Sequence, residues 1–582
     1  MSKNKELAKI FNTIADALEY KGELQYRVIA YRKAARVLEE LTEDVEELYK
    51  KGKLREIPGI GEGIEKKIIE YLETGRMKKY EEALAGIPEG LLELLSIQNL
   101  GPKTLALAHK ELGVKNLDDL KKVIENGSLA RLFGMGPKKV ENIKKGIELY
   151  EQSQARIPLN EALAIAEEVV EYLKKNPKVK EICPSGSLRR YKETIGDIDI
   201  LITCKDEDRL DIIEYFTKYS KVSRVLAAGD TKASVMIGSG KEARQVDIRI
   251  VPEESYGAAL QYFTGSKAHN IKLRSIAKEK GLKISEYGVF KGEKMIAGRT
   301  EEEVYKAIGL VWIPPELRED RGEIEAAQKG ELPKLIELKD IKGDFQIHTT
   351  YSDGLDDLET MVNACRKLGY QYIAITDHSK FAKYAHGLDE ERLKKQWEEI
   401  DRLSKKYKDI KILKGIEVDI LPDGGLDFSD EILKECDVVV AAVHQGFKKK
   451  VTERLIEAIK NPYVHIIAHP QGRLISKREG YEVDIEKVLE YAQKYNKIME
   501  LNAYPDRLDL DELHLRKAKS LGIKIAINTD AHGVKDLEWM KFGVGIARRG
   551  WLEKEDVVNA WDFNKVIKFL KSIREKKTAD VI

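Results

Sequence analysis

The stretch PSGSLRRYKETIGDIDIL, residues 184–201, leaves a chain few ways to fold, and RQVDIRIV around Asp247 answers it 48 residues after Asp199. Both segments alternate apolar and polar residues at the two-residue period of a strand, so Asp197 and Asp199 share one face while Ile198 and Ile200 enter a core. A neighbouring strand carrying Asp247 adds a third carboxylate to that face. Three such groups repel one another unless divalent cations sit between them, and hard oxygen ligands suit Mg2+ or Mn2+. Backbone N–H groups at the Gly186–Ser187 turn can hold phosphate oxygens close by. The chemistry this combination points to is two-metal nucleotidyl transfer.

At 582 residues the chain is too long for one core, and three to five domains are expected. The formal charge of +1 hides local polarity. Residues 101–150 and 261–300 carry more Lys and Arg than Asp and Glu and are candidate phosphate-facing surfaces. Cys183, Cys204, Cys365 and Cys436 form no regular framework and read as free thiols of a reducing cytoplasm. No signal-type segment or membrane-length apolar run is present, so a soluble, cytoplasmic protein with no membrane partner is expected.

Residues 1–82 read as short helices ending in LREIPGIGEGIEKKIIEYL. Gly59 and Gly61 allow a tight hairpin, and the amides opening the next helix can hold a phosphate. Two further copies follow, SIQNLGPKTLAL with Gly101 and Lys103, and RLFGMGPKKVENI with Gly134, Gly136 and Lys138. The second copy has Asn99 where its first glycine belongs, a residue that also tolerates a left-handed backbone. Such hairpins touch the nucleic-acid backbone and ignore base identity.

From residue 1 to about 320 the chain resembles the family X DNA polymerases of the polymerase beta type. The resemblance is carried by AYRKAA at 30–35, the IPGIG hairpin, GSLRR with GDIDIL, VDIRIVP, and YFTGSKAHNIKLR at 262–274. It implies a helical DNA-binding domain (1–82), a helix-hairpin-helix duplex-binding subdomain (83–155), a nucleotidyltransferase palm (156–258) and a thumb-like nucleotide-selection subdomain (259–320). By position it makes Asp197, Asp199 and Asp247 the ligands of two Mg2+ ions. Gly186, Ser187, Arg190 and Gly196 would then hold the triphosphate of a dNTP, and Arg suits phosphate because its donors fork. Tyr262, Phe263 and Gly265 form the sugar-selection segment, Asn270 reaches the new base, and Arg274 lies against the template. The implied partner is gapped or primer-template DNA, and the implied enzyme a monomer. Gln245 stands where relatives have an arginine, which leaves open how Asp247 is held. Lys67 falls at the family's Schiff-base lysine, with Gly63 where relatives offer a second lysine. It is either that nucleophile or a contact to a 5′ phosphate.

After a charged, proline-punctuated linker (321–340) the pattern changes to strands alternating with helices: DFQIHT, YQYIAITDH, IKILKGIEVDI, CDVVVAAVH, VHIIAHP, KIMELNA and IKIAINTDAH. Seven such strands predict a parallel barrel, so the fold class is multidomain, α+β followed by α/β. Polar residues stand where strands end, and five of the ten histidines occupy those positions. Convergent imidazoles and carboxylates admit Zn, Mn or Fe, whereas His465 and His514 fit structural roles. Residues 341–582 resemble the PHP (polymerase and histidinol phosphatase) domain through IHTTYSDG, TDHS, GIEVDI, VHQ, AHP and NTDAH. The implied ligands are His348, Asp353, His378, Glu417, His444, His469, Asp530 and His532, holding up to three Mn2+ or Zn2+ ions in a (β/α)7 barrel. Gln346 replaces the first histidine of the usual His-x-His, and an amide oxygen is the weaker ligand. The resemblance implies 3′–5′ exonuclease, with abasic-site endonuclease or 3′-phosphatase activity beside it. Template-independent nucleotidyl transfer, a catalytically silent barrel and a small-molecule phosphatase are the competing readings.

Overall fold

A computed structural model of the chain describes residues 3–575 apart from positions 42, 58, 89, 98, 154–155 and 239–242. Pro58 and Gln98, inside the first two hairpin motifs, and residues 576–582 of the expected PHP domain therefore lie outside the described residues. The fold divides into two compact units, Met1–Ala155 with Ser239–Arg244, and Arg156–Gly238 with Gln245–Ile582.

The first unit is helical. Helix Lys3–Tyr20 buries Leu7, Phe11, Ile14 and Leu18, a spacing of four, three and four that makes one continuous stripe. That stripe packs against Val28, Tyr31, Ala35 and Leu38 of helix Gln25–Glu40. A second small core, built on Leu105, Leu120, Leu129 and Ile143, supports the later hairpins.

The second unit starts with a five-stranded sheet in the order Glu181–Pro184, Ile198–Thr203, Arg244–Val251, Lys232–Ile237, Val222–Ala228. Ile198, Ile200 and Ile202 are buried with Val246, Ile248 and Ile250, the alternation read from the sequence. Helices Tyr256–Thr264 and Lys267–Glu279 and a three-stranded sheet (Lys283–Ser285, Gly288–Lys291, Lys294–Ala297) follow.

Residues 321–340, expected as a charged linker, are packed rather than loose. Ile324, Ala327 and Leu335 enter the core of the preceding subdomain, and Glu323 bonds His269 Nδ1 at 2.6 Å. Arg321 and Glu323 pair their charges inward, with Glu512 and His269, while Lys329, Glu331, Lys334 and Lys339 stay exposed.

The C-terminal part is a seven-stranded parallel sheet in sequence order, Gly343–Ile347, Tyr372–Ile375, Lys411–Asp419, Val438–Ala442, Ile466–Ile467, Ile498–Asn502 and Ile525–Asn528. A parallel bridge from Ile347 to Ala531 brings its two edges together, giving a nearly closed barrel. Helix Phe563–Glu575 packs Val566, Leu570 and Ile573 against residues at the strand starts such as Tyr372, Val438 and Ile498. That end is therefore filled by hydrocarbon, and the polar chemistry is confined to the other end. Among the described residues, no helix is long and apolar enough to cross a membrane, and the four cysteines are free.

Candidate active sites of the palm and the barrel

Asp199 and Asp247 lie directly opposite each other in the parallel pair Ile198–Thr203 and Arg244–Val251. Gly186 has φ +62°, and a Cβ there would fall 2.5 Å from Asp199 Oδ2, so only glycine lets the turn sit on that carboxylate. Burial first, then Asp197 and Asp247, push the Asp199 carboxyl up to about 7. Two side chains hold Asp247: Gln245 Nε2 donates to its Oδ1 at 2.9 Å, and Lys232 Nζ stands 3.1 Å from its Oδ2. Crowded carboxylates with one balancing lysine are a donor set that fits divalent cations.

The other palm and thumb residues expected at the site are held by the protein. Arg190 donates through Nε to Glu319 at 3.0 Å and through Nη1 to the Thr264 carbonyl. Asn270 is buried, its amide donating to the Tyr262 carbonyl at 2.7 Å and accepting from Gln261 at 2.7 Å. Phe263 packs edge-on against Tyr262 and under the Arg249 guanidinium. Tyr262 and Arg274 line a cleft with Lys278 and Lys283. Gly265 has φ +70° and precedes Ser266, whose hydroxyl caps helix Lys267–Glu279. Ser187 is half-buried on the same turn as Gly186, and Gly196 lies beside the Arg156 guanidinium.

In the helical unit, the three hairpins repeat one geometry. Gly59 (φ +100°), Asn99 (φ +67°) and Gly134 (φ +76°) each make the left-handed turn, and Gly61, Gly101 and Gly136 open the helices that follow. Lys103 and Lys138 are exposed on those first turns. Lys67 is half-buried, donates to the Gly63 carbonyl at 2.6 Å, and is lowered first by burial and then by Lys79.

At the barrel, three groups of side chains have ligand atoms within 4.8 Å of one another: His348, Asp353, His378 and His532; His378, Glu417 and His444; His348, Glu417 and Asp530. His469 Nε2 stands 3.4 Å from Glu417 Oε1. All eight expected ligands thus converge, because each follows or ends a strand at the same rim. Nδ1 of His348 and of His469 is buried without a hydrogen-bond partner, while His348 Nε2 stands 3.0 Å from Asp530 Oδ1 and Glu417 Oε2 2.9 Å from His378 Nδ1. Buried polar atoms are rarely left so, and imidazole nitrogens converging on carboxylates fit divalent metals.

The electrostatics divide the histidines. Burial would lower His444 and His532, but Glu417 with Asp419 outweighs it for the first, and Asp353 with Asp530 for the second, raising both to about 10. His469 goes the other way: burial and the nearby Arg507 take it down to about 4. Burial would raise Asp353 too, yet His532, His378 and His348 hold it at about 2. Gln346 turns its amide nitrogen to Glu417 Oε1 at 3.1 Å and Asp530 Oδ1 at 3.4 Å, and leaves Oε1 without a partner.

The sequence motifs did not reveal the supporting layer. Asp419 Oδ1 accepts from His444 Nδ1 at 3.1 Å, and Asn502 donates to Asp530 Oδ2 at 3.1 Å. Arg507 is half-buried beside the cluster, its Nε and Nη1 without hydrogen-bond partners and its Nε 3.9 Å from Asp530 Oδ2. Asp419 and Asn502 sit inside quoted strands and could have been found by their period, whereas Arg507 carries no motif. His465 and His514 are structural, the first bonding Val439 N and Arg574, the second Asp511.

Known families match this division. Residues 2–77 match the helix-hairpin-helix domain, 91–148 the SAM-like helix-hairpin-helix tandem, 156–253 the DNA polymerase beta palm, 259–319 the DNA polymerase beta thumb and 344–504 the PHP domain. The DNA polymerase/3′-5′ exonuclease PolX of Bacillus subtilis (strain 168) is 42% identical over 575 residues, covering 97% of this chain and 99% of its own. A probable phosphatase of Thermoanaerobacter sp. (strain X514) is 35% identical over 36% of this chain and 86% of its own. DNA polymerase lambda of Rattus norvegicus is 29% identical over 54% of this chain and 56% of its own. With the polymerase beta palm and thumb and the PHP domain matched in order and a relative matched from end to end, the chain belongs to the PolX group of family X DNA polymerases, those that carry a C-terminal PHP domain.

Proposed function

We propose that this protein is a template-directed DNA polymerase that fills short gaps from dNTPs, and that its PHP barrel is a 3′–5′ exonuclease acting on the same DNA. The pairing of Asp199 with Asp247 under the Gly186 turn carries the first half of this reading. Asp197, Asp199 and Asp247 would hold two Mg2+ ions, and the eight barrel ligands up to three Mn2+ or Zn2+ ions. Bound there, such cations activate the attacking oxygen and offset charge on the phosphate. The chain itself does the positioning. Asp247 stands nearest the primer 3′ hydroxyl, with Gln245 and Lys232 fixing its rotamer. Ser187, Arg190 and the Gly186 and Gly196 backbone orient the triphosphate, Tyr262, Phe263 and Gly265 crowd a ribose 2′ hydroxyl, and Asn270 and Arg274 meet base and template. Lys67, Lys103, Lys138 and the hairpin glycines grip the DNA backbone. The protein works as a monomer in the cytoplasm.

Primed, gapped DNA with dNTPs and Mg2+ should be extended, Asp247→Ala should bind the DNA without extending it, and omitting the template strand should stop incorporation. Extension without template would favour a terminal transferase instead.

The convergence of His348, His378, His444 and His469 on Glu417 and Asp530, with Nδ1 of His348 and of His469 left unbonded, favours an active barrel over a silent one. Mn2+-dependent trimming of 3′ ends that persists in His532→Ala would refute this. Loss of trimming with 3′ phosphate or abasic-site cleavage retained would move the activity towards a 3′ phosphatase or an abasic-site endonuclease.

A further inference from the structure

The turn that carries Arg190 rests on the barrel. A Cβ added at Gly545, in barrel helix Met540–Arg549, would fall 2.0 Å from Tyr191 Cδ1, so the palm turn and the helix meet only because position 545 has no side chain. Four residues on, Arg549 Nη1 donates to the Arg190 carbonyl at 2.7 Å and to Glu319 Oε1 at 3.0 Å, while its Nη2 donates to Glu512 Oε1 at 2.7 Å. The same Glu319 Oε1 accepts from Arg190 Nε, and Arg190 Nη1 in turn holds the Thr264 carbonyl. One carboxylate oxygen is thus shared between an arginine of the barrel and an arginine of the palm. The side chains of Arg549, Glu319 and Arg190 are 1%, 10% and 12% exposed, so solvent offers little relief if a partner is lost.

Buried ion pairs add little net stability over apolar residues of the same size, but they do fix geometry where both partners are forked and saturated. This relay ends on two elements of nucleotide binding, Arg190 and the segment Tyr262–Ser266, and not on the rim where the barrel's own ligands converge. We propose that Arg549 is a positioning residue of the polymerase: acting through Glu319, it sets Arg190 and the sugar-selection segment, so that nucleotide affinity in the palm depends on the PHP domain. The inference rests on the reading of Arg190 as a triphosphate contact.

The test uses the full-length protein on gapped DNA, with KM and kcat for a dNTP measured for Arg549→Met, Arg549→Lys, Arg190→Met and the Arg549→Met/Arg190→Met double variant. Arg549→Met should raise KM about ten-fold with a smaller change in kcat, and Arg549→Lys, which keeps charge but not the fork, should fall between. The double variant should match Arg190→Met alone, since Arg549 acts through it. Mn2+-dependent 3′ trimming should stay within two-fold of the parent. An unchanged KM in Arg549→Met overturns the proposal, as do effects that multiply in the double variant, or polymerase and trimming lost in equal proportion. If Arg549→Met does not fold, the KM of Arg549→Lys decides on the same terms. An unchanged KM in Arg190→Met refutes the triphosphate reading itself, a result distinct from failure of the relay alone.

Discussion

The Gln245 carboxamide donates to Asp247 Oδ1 at 2.9 Å, two residues along the same strand and on the same face. Where relatives place an arginine, the amide supplies the directed bond without the charge, and Lys232 on the adjacent strand supplies the charge at 3.1 Å. The division answers the question the sequence left open about how the third carboxylate is held. A hydrogen bond to a charged group is worth about 1.5–3 kcal/mol. Gln245→Ala should therefore lower kcat for gap filling about ten-fold while leaving the KM for dNTP within two-fold. A pre-steady-state measurement with equal loss in both would place Gln245 in nucleotide binding instead.

Gln346 makes a parallel substitution in the barrel, its amide nitrogen facing Glu417 and Asp530. A donor in that orientation competes with a cation for the same carboxylate oxygens. Gln346→His would replace it with a ligand, so Mn2+ affinity measured by calorimetry should rise, about ten-fold for one added imidazole. Unchanged stoichiometry and affinity would show that the position lies outside the metal set.

Metal loading of the barrel should release protons, because His444 and His532 are raised to about 10 while ligation requires neutral rings. Their folded pKa lies above the ordinary value of 6.5. In the metal-free protein their contribution to stability is therefore full below pH 6.5 and is lost as pH rises through about 10. Metal affinity should follow the opposite course, climbing as pH rises towards about 10. Titrations in two buffers of different ionisation enthalpy would detect the released protons, and a pH-independent affinity would contradict the assignment.

Lys67 is lowered first by burial and then by Lys79, which enlarges its neutral, nucleophilic fraction near pH 8. If it attacks an abasic sugar, borohydride should trap a protein–DNA adduct on 5′-incised abasic DNA. Trapping should increase with pH and should disappear in Lys67→Ala. Absence of an adduct in the parent, with weaker binding of 5′-phosphorylated gaps in Lys67→Ala, would leave it a phosphate contact.

Arg507 keeps two buried nitrogens without hydrogen-bond partners beside Asp530 and His469. A guanidinium with nitrogens free of hydrogen bonds at a phosphoesterase site is suited to a phosphate oxygen. Arg507→Met should raise the KM of the trimming reaction about ten-fold or more, with polymerase activity retained. Unaltered trimming would reduce Arg507 to an electrostatic neighbour of His469.

The sequence by itself determined the palm strand pair, the hairpins and which side chains gather at the barrel rim. Two-residue alternation fixes which face Asp197 and Asp199 take, Gly59, Asn99 and Gly134 are residues that accept the left-handed turn of each hairpin, and parallel barrel strands all end at one rim. Tertiary structure alone decided what each of those groups leans on. Lys232 meets Asp247 only because their strands are neighbours, Arg507 reaches the cluster from a loop without a motif, and Gly545 touches Tyr191 across more than 350 positions of chain. Local periodicity reports the direction in which a side chain leaves its own backbone. It carries no information about how deeply a group is buried or which distant charge lies against it; burial first sets the pKa of Asp199, and the distant partners set the rotamer of Asp247 and the orientation of Arg190.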